Sequence, residues 1–255
     1  MKMIKSRKFI YFFLLSAIPL CLNAENNCES PLIAEYRYTV TDTNKKISQN
    51  REVTLWRREN QVVIQTPRSQ QAELWELTKN NKIKMTRFFE NHQRGIEYQI
   101  SDIKDQREKN DWSLKYQLIS DVLIQKMEHR KFSNDKILTE SCDSTQHLSL
   151  QDNQKSIDLL WNPKQKLMES LEVREGNITT LWGLTKKISD VDQIDRYYEQ
   201  LLSYQTTDYA DVGDNESDPF LMKMINLGFV EHGASGFYDS AGNNMKNQNE
   251  RHHGH

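Results

Sequence analysis

Apolar and polar residues alternate along most of the chain between residues 32 and 100. In the first such run, Tyr36, Tyr38 and Val40 fall on one face of an extended segment. Similar runs of β-branched and aromatic residues recur at intervals of about ten residues, separated by polar turns. This pattern predicts an antiparallel meander of β-strands.

Three later segments change to the 3.6-residue period of an amphipathic helix. One helix is predicted near 115–128, and strand patterns follow it. A second is predicted over 191–204. A third, short helix is predicted over 219–227, where Asp218 is the N-cap and Pro219 the first helical residue. We therefore expect a mainly β, α+β fold, with a curved antiparallel sheet or half-barrel and two or three covering helices.

The N-terminus has the order of residues found in a secretory signal peptide. Basic residues are followed by an apolar run over 9–22 and by the small residue Ala24 at the predicted cleavage site. The run is shorter than the about 20 residues of a membrane span. We expect residues 1–24 to be removed from a periplasmic or secreted protein with no later transmembrane segment. In a lipoprotein alternative Cys21 would be acylated, but Leu20 before it is larger than that cleavage site prefers.

Cleavage leaves two cysteines, Cys28 and Cys142. An oxidising compartment favours a disulfide between them, and two free thiols are the alternative. Removing the four basic residues of the leader from 34 Lys and Arg leaves 30, against 36 Asp and Glu. This acidic balance, without a basic stripe, argues against nucleic acid as a partner.

The composition changes after residue 204. Residues 25–204 are predicted to form the β-rich domain, 205–228 an acidic loop with the short helix, and 229–255 a flexible tail. The tail histidines are His232, His252, His253 and His255. Because imidazole is a common ligand of copper and zinc, the tail predicts capture of one of these metals. A solvated polar terminus is the alternative, and no other cofactor is expected.

The chain has no catalytic motif that would define a reaction. Metalloprotease, P-loop and dinucleotide fingerprints do not occur, and the segment 233–236 falls one residue short of a nucleophile elbow. The acidic residues within 208–218 do not have the spacing of a calcium-binding EF-hand. We therefore expect a protein that is not an enzyme.

Large apolar groups occupy both faces of several predicted strands, as at Leu55-Trp56 and Leu74-Trp75. A sheet with one solvated face would carry polar residues there. Either helices cover the second face, or a concave face receives a ligand. The candidate ligand-binding residues are Trp56, Trp75, Tyr98, Trp161 and Trp182.

The order of these aromatic positions over about 30–204 resembles that of the periplasmic lipoprotein carriers with the LolA/LolB-like fold. The matching segments are Tyr36-x-Tyr38, Leu55-Trp56, Leu74-Trp75-Glu76-Leu77, Leu160-Trp161-Asn162-Pro163 and Leu181-Trp182. The resemblance implies a half-open sheet around an apolar cavity that helices cover and acyl chains fill. The acidic stretch, the histidine-bearing tail and the cysteine pair depart from that family.

These observations lead to three functional hypotheses. The first is an exported, non-enzymatic carrier or binding protein for an apolar ligand or a lipoprotein-like partner. The second is a metal-handling accessory protein that uses its tail. The third is an assembly or structural factor of an envelope complex, which would dock a partner protein on an exposed apolar face of the 219–227 helix.

Overall fold

The computed structural model of the chain describes residues 28–29, 31–102, 111–129, 141–215 and 217–226. Within these residues the chain forms one sheet of twelve strands and four α-helices. The sheet is almost entirely antiparallel and does not close, which confirms the predicted mainly β fold with covering helices. The predicted signal peptide, 1–24, and the predicted tail, 229–255, lie outside the described residues.

The strands follow one another along most of the sheet. They are β1 (Leu32–Asp42), β2 (Ile47–Arg58), β3 (Gln61–Thr66), β4 (Gln71–Leu77), β5 (Ile83–Phe89), β6 (Arg94–Tyr98), β7 (Glu128–His129), β8 (Gln146–Gln151), β9 (Lys155–Asn162), β10 (Leu167–Glu175), β11 (Ile178–Ile188) and β12 (Gln205–Asp208). Their order in the sheet is β12-β6-β5-β4-β3-β2-β1-β11-β10-β9-β8-β7. The β1–β11 pair therefore joins the N-terminal meander to the C-terminal one.

The helices are short and lie between or after the two meanders. They are α1 (Trp112–Gln117), α2 (Asp121–Lys126), α3 (Val191–Leu202) and α4 (Pro219–Asn226). The 3-10 helices are Pro67–Ser69, Glu90–His92, Ile100–Asp102 and Tyr209–Asp211.

Both faces of the sheet carry buried apolar residues, which divide into two clusters. The larger cluster, called the large face below, includes Tyr36, Leu55 and Trp75 and contacts α1, α2 and α4. The smaller cluster, called the α3 face, includes Ile33 and Trp56 and contacts α3. Successive residues of a strand point to opposite faces, so Leu55 belongs to the large face and Trp56 to the α3 face. Helices thus cover parts of both faces.

Helix α3 is fixed to its face by its cap and by polar contacts. Asp190 accepts a hydrogen bond from the backbone N–H of Gln193 at 2.9 Å, which caps the first turn. Tyr198 donates from Oη to the carbonyl of Trp56 at 3.0 Å, and Arg58 pairs with Asp195 at 2.9 Å. Burial raises the pKa of the Tyr198 hydroxyl, which keeps it a donor.

The single helix predicted near 115–128 is wrong, because the structure has two helices there. Leu118 adopts a left-handed conformation with φ of 64° and ends α1. Ser120 then caps α2 by accepting from the backbone N–H of Val122. The break turns the chain so that Leu118 and Leu123 are both buried in the large face.

The predicted acidic loop at 205–228 contains a strand that the sequence did not indicate. β12 pairs with β6 in parallel, with Thr206 opposite Gly95. A Cβ atom at Gly95 would lie 3.0 Å from the Thr206 side chain and 2.9 Å from the Phe88 ring. Glycine therefore permits this close approach of the two strands.

Helix α4 packs against the domain, so the predicted exposed docking face is wrong for the part that the structure describes. Leu221 and Met224 are buried in the large face. Arg94 lies over the Phe220 ring at 4.9 Å and pairs with Asp218 at 2.7 Å. Leu227, the last residue of the predicted helix, lies outside the described residues.

The predicted disulfide between Cys28 and Cys142 is confirmed. The two Cα atoms are 5.3 Å apart and the residues are separated by 114 positions. No helix of the described residues is long and apolar enough to span a bilayer.

Candidate functional site

The structure places four of the five predicted ligand-binding aromatics on the large face and one on the opposite face. Those on the large face are Trp75, Tyr98, Trp161 and Trp182. Trp56 lies on the α3 face, where its ring centroid is 4.1 Å from that of Tyr197. The register explains the separation: Trp56 is opposite Val63, and Val63 is opposite Leu74 rather than Trp75. Trp56 therefore belongs to the packing of α3.

The aromatic residues of the large face are covered in this conformation. The Trp182 ring packs against Tyr38 at 4.7 Å and Tyr36 at 6.1 Å between ring centroids. The Trp75 ring lies under α1, with Lys115 Nζ 4.0 Å from its centroid. All four rings are nearly fully buried, so little of their surface is open to a ligand in this conformation.

Two indole N–H groups on this face have no acceptor. Nε1 of Trp75 and Nε1 of Trp182 are buried, and neither donates a hydrogen bond to any described residue. An unsatisfied buried donor costs about 1–3 kcal/mol.

A cleft of about 660 Å³ opens beside α1 and α2. Its lining residues are Glu29, Glu59, Asn60, Asp111, Trp112, Ser113, Tyr116, Gln117, Asp121, Val122 and Lys166. They come from the two helices, the β2–β3 turn, the β9–β10 turn and the segment next to the disulfide. Clefts of this volume are typical of small-molecule sites.

Hydrogen bonds join α1 and α2 into one wall of the cleft. Asp111 accepts from Ser120 Oγ at 2.6 Å and from Ser113 Oγ. Ser113 in turn accepts from the backbone N–H of Asp121 at 2.9 Å, and Gln117 donates to the Asp121 carboxylate at 2.6 Å. We expect the two helices to move together rather than separately.

A buried arginine that sequence reasoning missed lies under the cleft. Arg57, 1 % exposed, donates to the carbonyls of Lys166 at 2.8 Å and Gln165 at 2.6 Å. Its guanidinium carbon lies 4.6 Å from the centroid of the Tyr116 ring. Burial lowers the pKa of this guanidinium, because it disfavours the charged form. One signal of its burial was present in the sequence: Arg57 follows Leu55 by two residues in a predicted strand, so both side chains point to the same face of the sheet.

The disulfide fixes the part of the cleft wall that contains Glu29 and Lys166. Glu29, next to Cys28, pairs with Lys166 at 2.8 Å. Asn162 donates to the carbonyl of Cys142 at 2.8 Å. The bridge therefore holds the N-terminal segment against the β9–β10 turn.

The four histidines predicted to bind metal, at 232, 252, 253 and 255, lie outside the described residues. Within the part of the chain that the structure describes, no group of three or more His, Cys, Asp or Glu side chains is arranged to hold a metal ion. Metal capture by the tail stays a prediction.

Comparison with known proteins gives structural neighbours only. No protein-family model and no curated protein matches the chain. PNGF-II is a similar solved structure, with 12% identity, a TM-score of 0.36 and coverage of 70% of this chain. The chain spans 31% of PNGF-II, about a third of its length.

Two further neighbours are smaller proteins. One, from Vibrio parahaemolyticus, is named as an outer membrane lipoprotein-sorting protein domain and has 8% identity, a TM-score of 0.32 and coverage of 67% of this chain and 92% of its own. The other, a DUF1329 family protein from Desulfovibrio piger, has 9% identity, a TM-score of 0.32 and coverage of 67% and 90%. The TM-scores are low, and fold does not determine function, so the functional argument rests on the cleft.

Proposed function

We propose that this is an exported, non-enzymatic binding or carrier protein for an apolar or amphiphilic ligand. The observation that carries the proposal is the cleft of about 660 Å³ beside the covered aromatic face. The confirmed disulfide supports the periplasm or another oxidising compartment as its place of action.

Helix α1 lies between the cleft and the aromatic face. Trp112 and Tyr116 line the cleft, whereas Lys115 of the same helix lies over Trp75. Movement of the α1–α2 wall would therefore connect the cleft to the large face.

A matched pair of surface valines tests the cleft. Val122 lines the cleft and is 47% exposed, whereas Val191 begins α3 and is 50% exposed. The uncharged apolar probe N-phenyl-1-naphthylamine, followed by its fluorescence, should bind the wild type saturably. We expect Val122→Gln to weaken binding about three- to tenfold, because part of an apolar contact is lost. Val191→Gln should bind like the wild type.

Two results would contradict the proposal. One is the absence of saturable probe binding by the folded wild type. The other is equal affinity in Val122→Gln and the wild type. Thermal unfolding of each variant verifies that neither substitution changes the fold.

A further inference from the structure

We propose that the cleft selects amphiphiles that have a positively charged head, such as a protonated amine or a quaternary ammonium group. This inference rests on the proposed function, since it names the ligand class of the same cleft. It follows from the balance of charge on the lining residues and from the aromatic rings among them.

Three carboxylates of the lining have no cationic partner among the residues that the structure describes. Glu59, Asp111 and Asp121 form no salt bridge with any described residue. Within the described part of the chain, Asp111 and Asp121 accept hydrogen bonds only from neutral donors. Glu59 is exposed in the β2–β3 turn. The fourth carboxylate, Glu29, is offset by Lys166 at 2.8 Å. The described lining therefore has an excess of negative charge.

The cation under the cleft does not cancel this excess. Arg57 lies beneath one face of the Tyr116 ring, and its donors reach the Gln165 and Lys166 carbonyls. Lys115 of α1 is a second buried cation, and its Nζ lies over the Trp75 ring. Arg57 and Lys115 together supply two positive charges against three carboxylates. The lining also includes the half-buried indole of Trp112, whose centroid is 5.9 Å from that of Tyr116.

Carboxylates around an indole suit a cationic head. The π face of tryptophan attracts an ammonium group, and the carboxylates add Coulomb attraction. An anionic head of the same size would meet repulsion from the same groups. Val122 supplies apolar contact for the start of the ligand's chain.

Competition among three probes with ten-carbon chains tests the inference. Decyltrimethylammonium, decanoate and uncharged decyl maltoside would each displace N-phenyl-1-naphthylamine from the full mature protein, below their micelle concentrations. We expect the ammonium probe to bind about tenfold more tightly than decanoate at low salt. Added salt should reduce this preference, because it screens exposed charges.

Charge-neutralising variants locate the effect. Asp121→Asn and Glu59→Gln should each reduce the preference for ammonium over decanoate. Asp192→Asn, which removes an exposed carboxylate from the first turn of α3, should leave it unchanged. Equal affinity for all three probes, or a preference unaffected by Asp121→Asn and Glu59→Gln, would overturn the inference and leave the apolar-ligand proposal standing. If N-phenyl-1-naphthylamine and all three amphiphiles fail to bind, both proposals are wrong; if only the amphiphiles fail to displace it, the inference alone is overturned.

Discussion

Loss of the Cys28–Cys142 bridge gives the sharpest test of how the cleft wall is held. The bridge closes a loop whose ends are 114 positions apart. In the chain-entropy model, a loop of about 100 residues contributes about 4.7 kcal/mol by restricting the unfolded chain. Measured losses for native disulfides are about 2–5 kcal/mol. We therefore expect Cys28→Ser/Cys142→Ser to lose about 3–5 kcal/mol of unfolding free energy.

Urea unfolding of the oxidised wild type and the double variant measures this loss. The variant should have a lower midpoint and a larger denaturant slope, because its unfolded chain exposes more surface. The wild type under reducing conditions is the control and should unfold like the variant. A loss below about 1 kcal/mol with an unchanged slope would refute the loop-entropy reasoning.

The same variant connects stability to binding. The disulfide holds Glu29 near Lys166, and these two side chains form a salt bridge of 2.8 Å on the cleft wall. Without the disulfide, the N-terminal segment is no longer covalently attached to Cys142. Affinity for N-phenyl-1-naphthylamine should therefore change in the folded variant even where no lining residue has been replaced.

Three further predictions follow from other contacts. Tyr198→Phe removes a buried hydrogen bond to Trp56 and should lower the unfolding free energy by about 1 kcal/mol, measured by urea unfolding. The hydrogen bond from Arg94 lowers the pKa of the Asp218 carboxyl. The ionised carboxylate therefore stabilises the fold fully above the ordinary aspartate pKa of about 3.9, and this stabilisation is lost as the pH falls through the lowered pKa of Asp218. Arg94→Gln should reduce this acid dependence of Tm, and an identical pH profile would contradict the role of the pair. If the tail captures metal, truncation after Gly228 should abolish copper or zinc binding in calorimetric titration, and equal binding by both forms would exclude the tail.

The alternation of apolar residues was sufficient to predict the sheet. Runs such as those around Tyr36 and Trp75 have period two, and local turns connect them into antiparallel pairs. The face that each tryptophan occupies could not be predicted. It depends on register across turns, which places Trp56 opposite Val63 and Trp75 opposite Val62.

The helix break and the last strand had no local signal. Leu118 adopts positive φ without being glycine, because burial of Leu118 and Leu123 in the large face favours the turned chain. β12, with the sequence Gln-Thr-Thr-Asp, lacks apolar alternation and pairs with β6 far away in sequence. Tertiary contacts decide both features.

The cleft was also beyond sequence reasoning. Glu59 lies in the β2–β3 turn, Asp121 in α2 and Lys166 in the β9–β10 turn. Each is an ordinary polar residue within its own segment. Their meeting depends on how α1 and α2 lie across the sheet, which no motif records.

The open sheet has a consequence for how this protein behaves at high concentration. One edge of the sheet is β12, whose four residues include two threonines and an aspartate. Long apolar edge strands recruit strands from other molecules, and short polar edges do not. The β12 edge of this open sheet should therefore resist pairing with a strand of another molecule, even at high protein concentration.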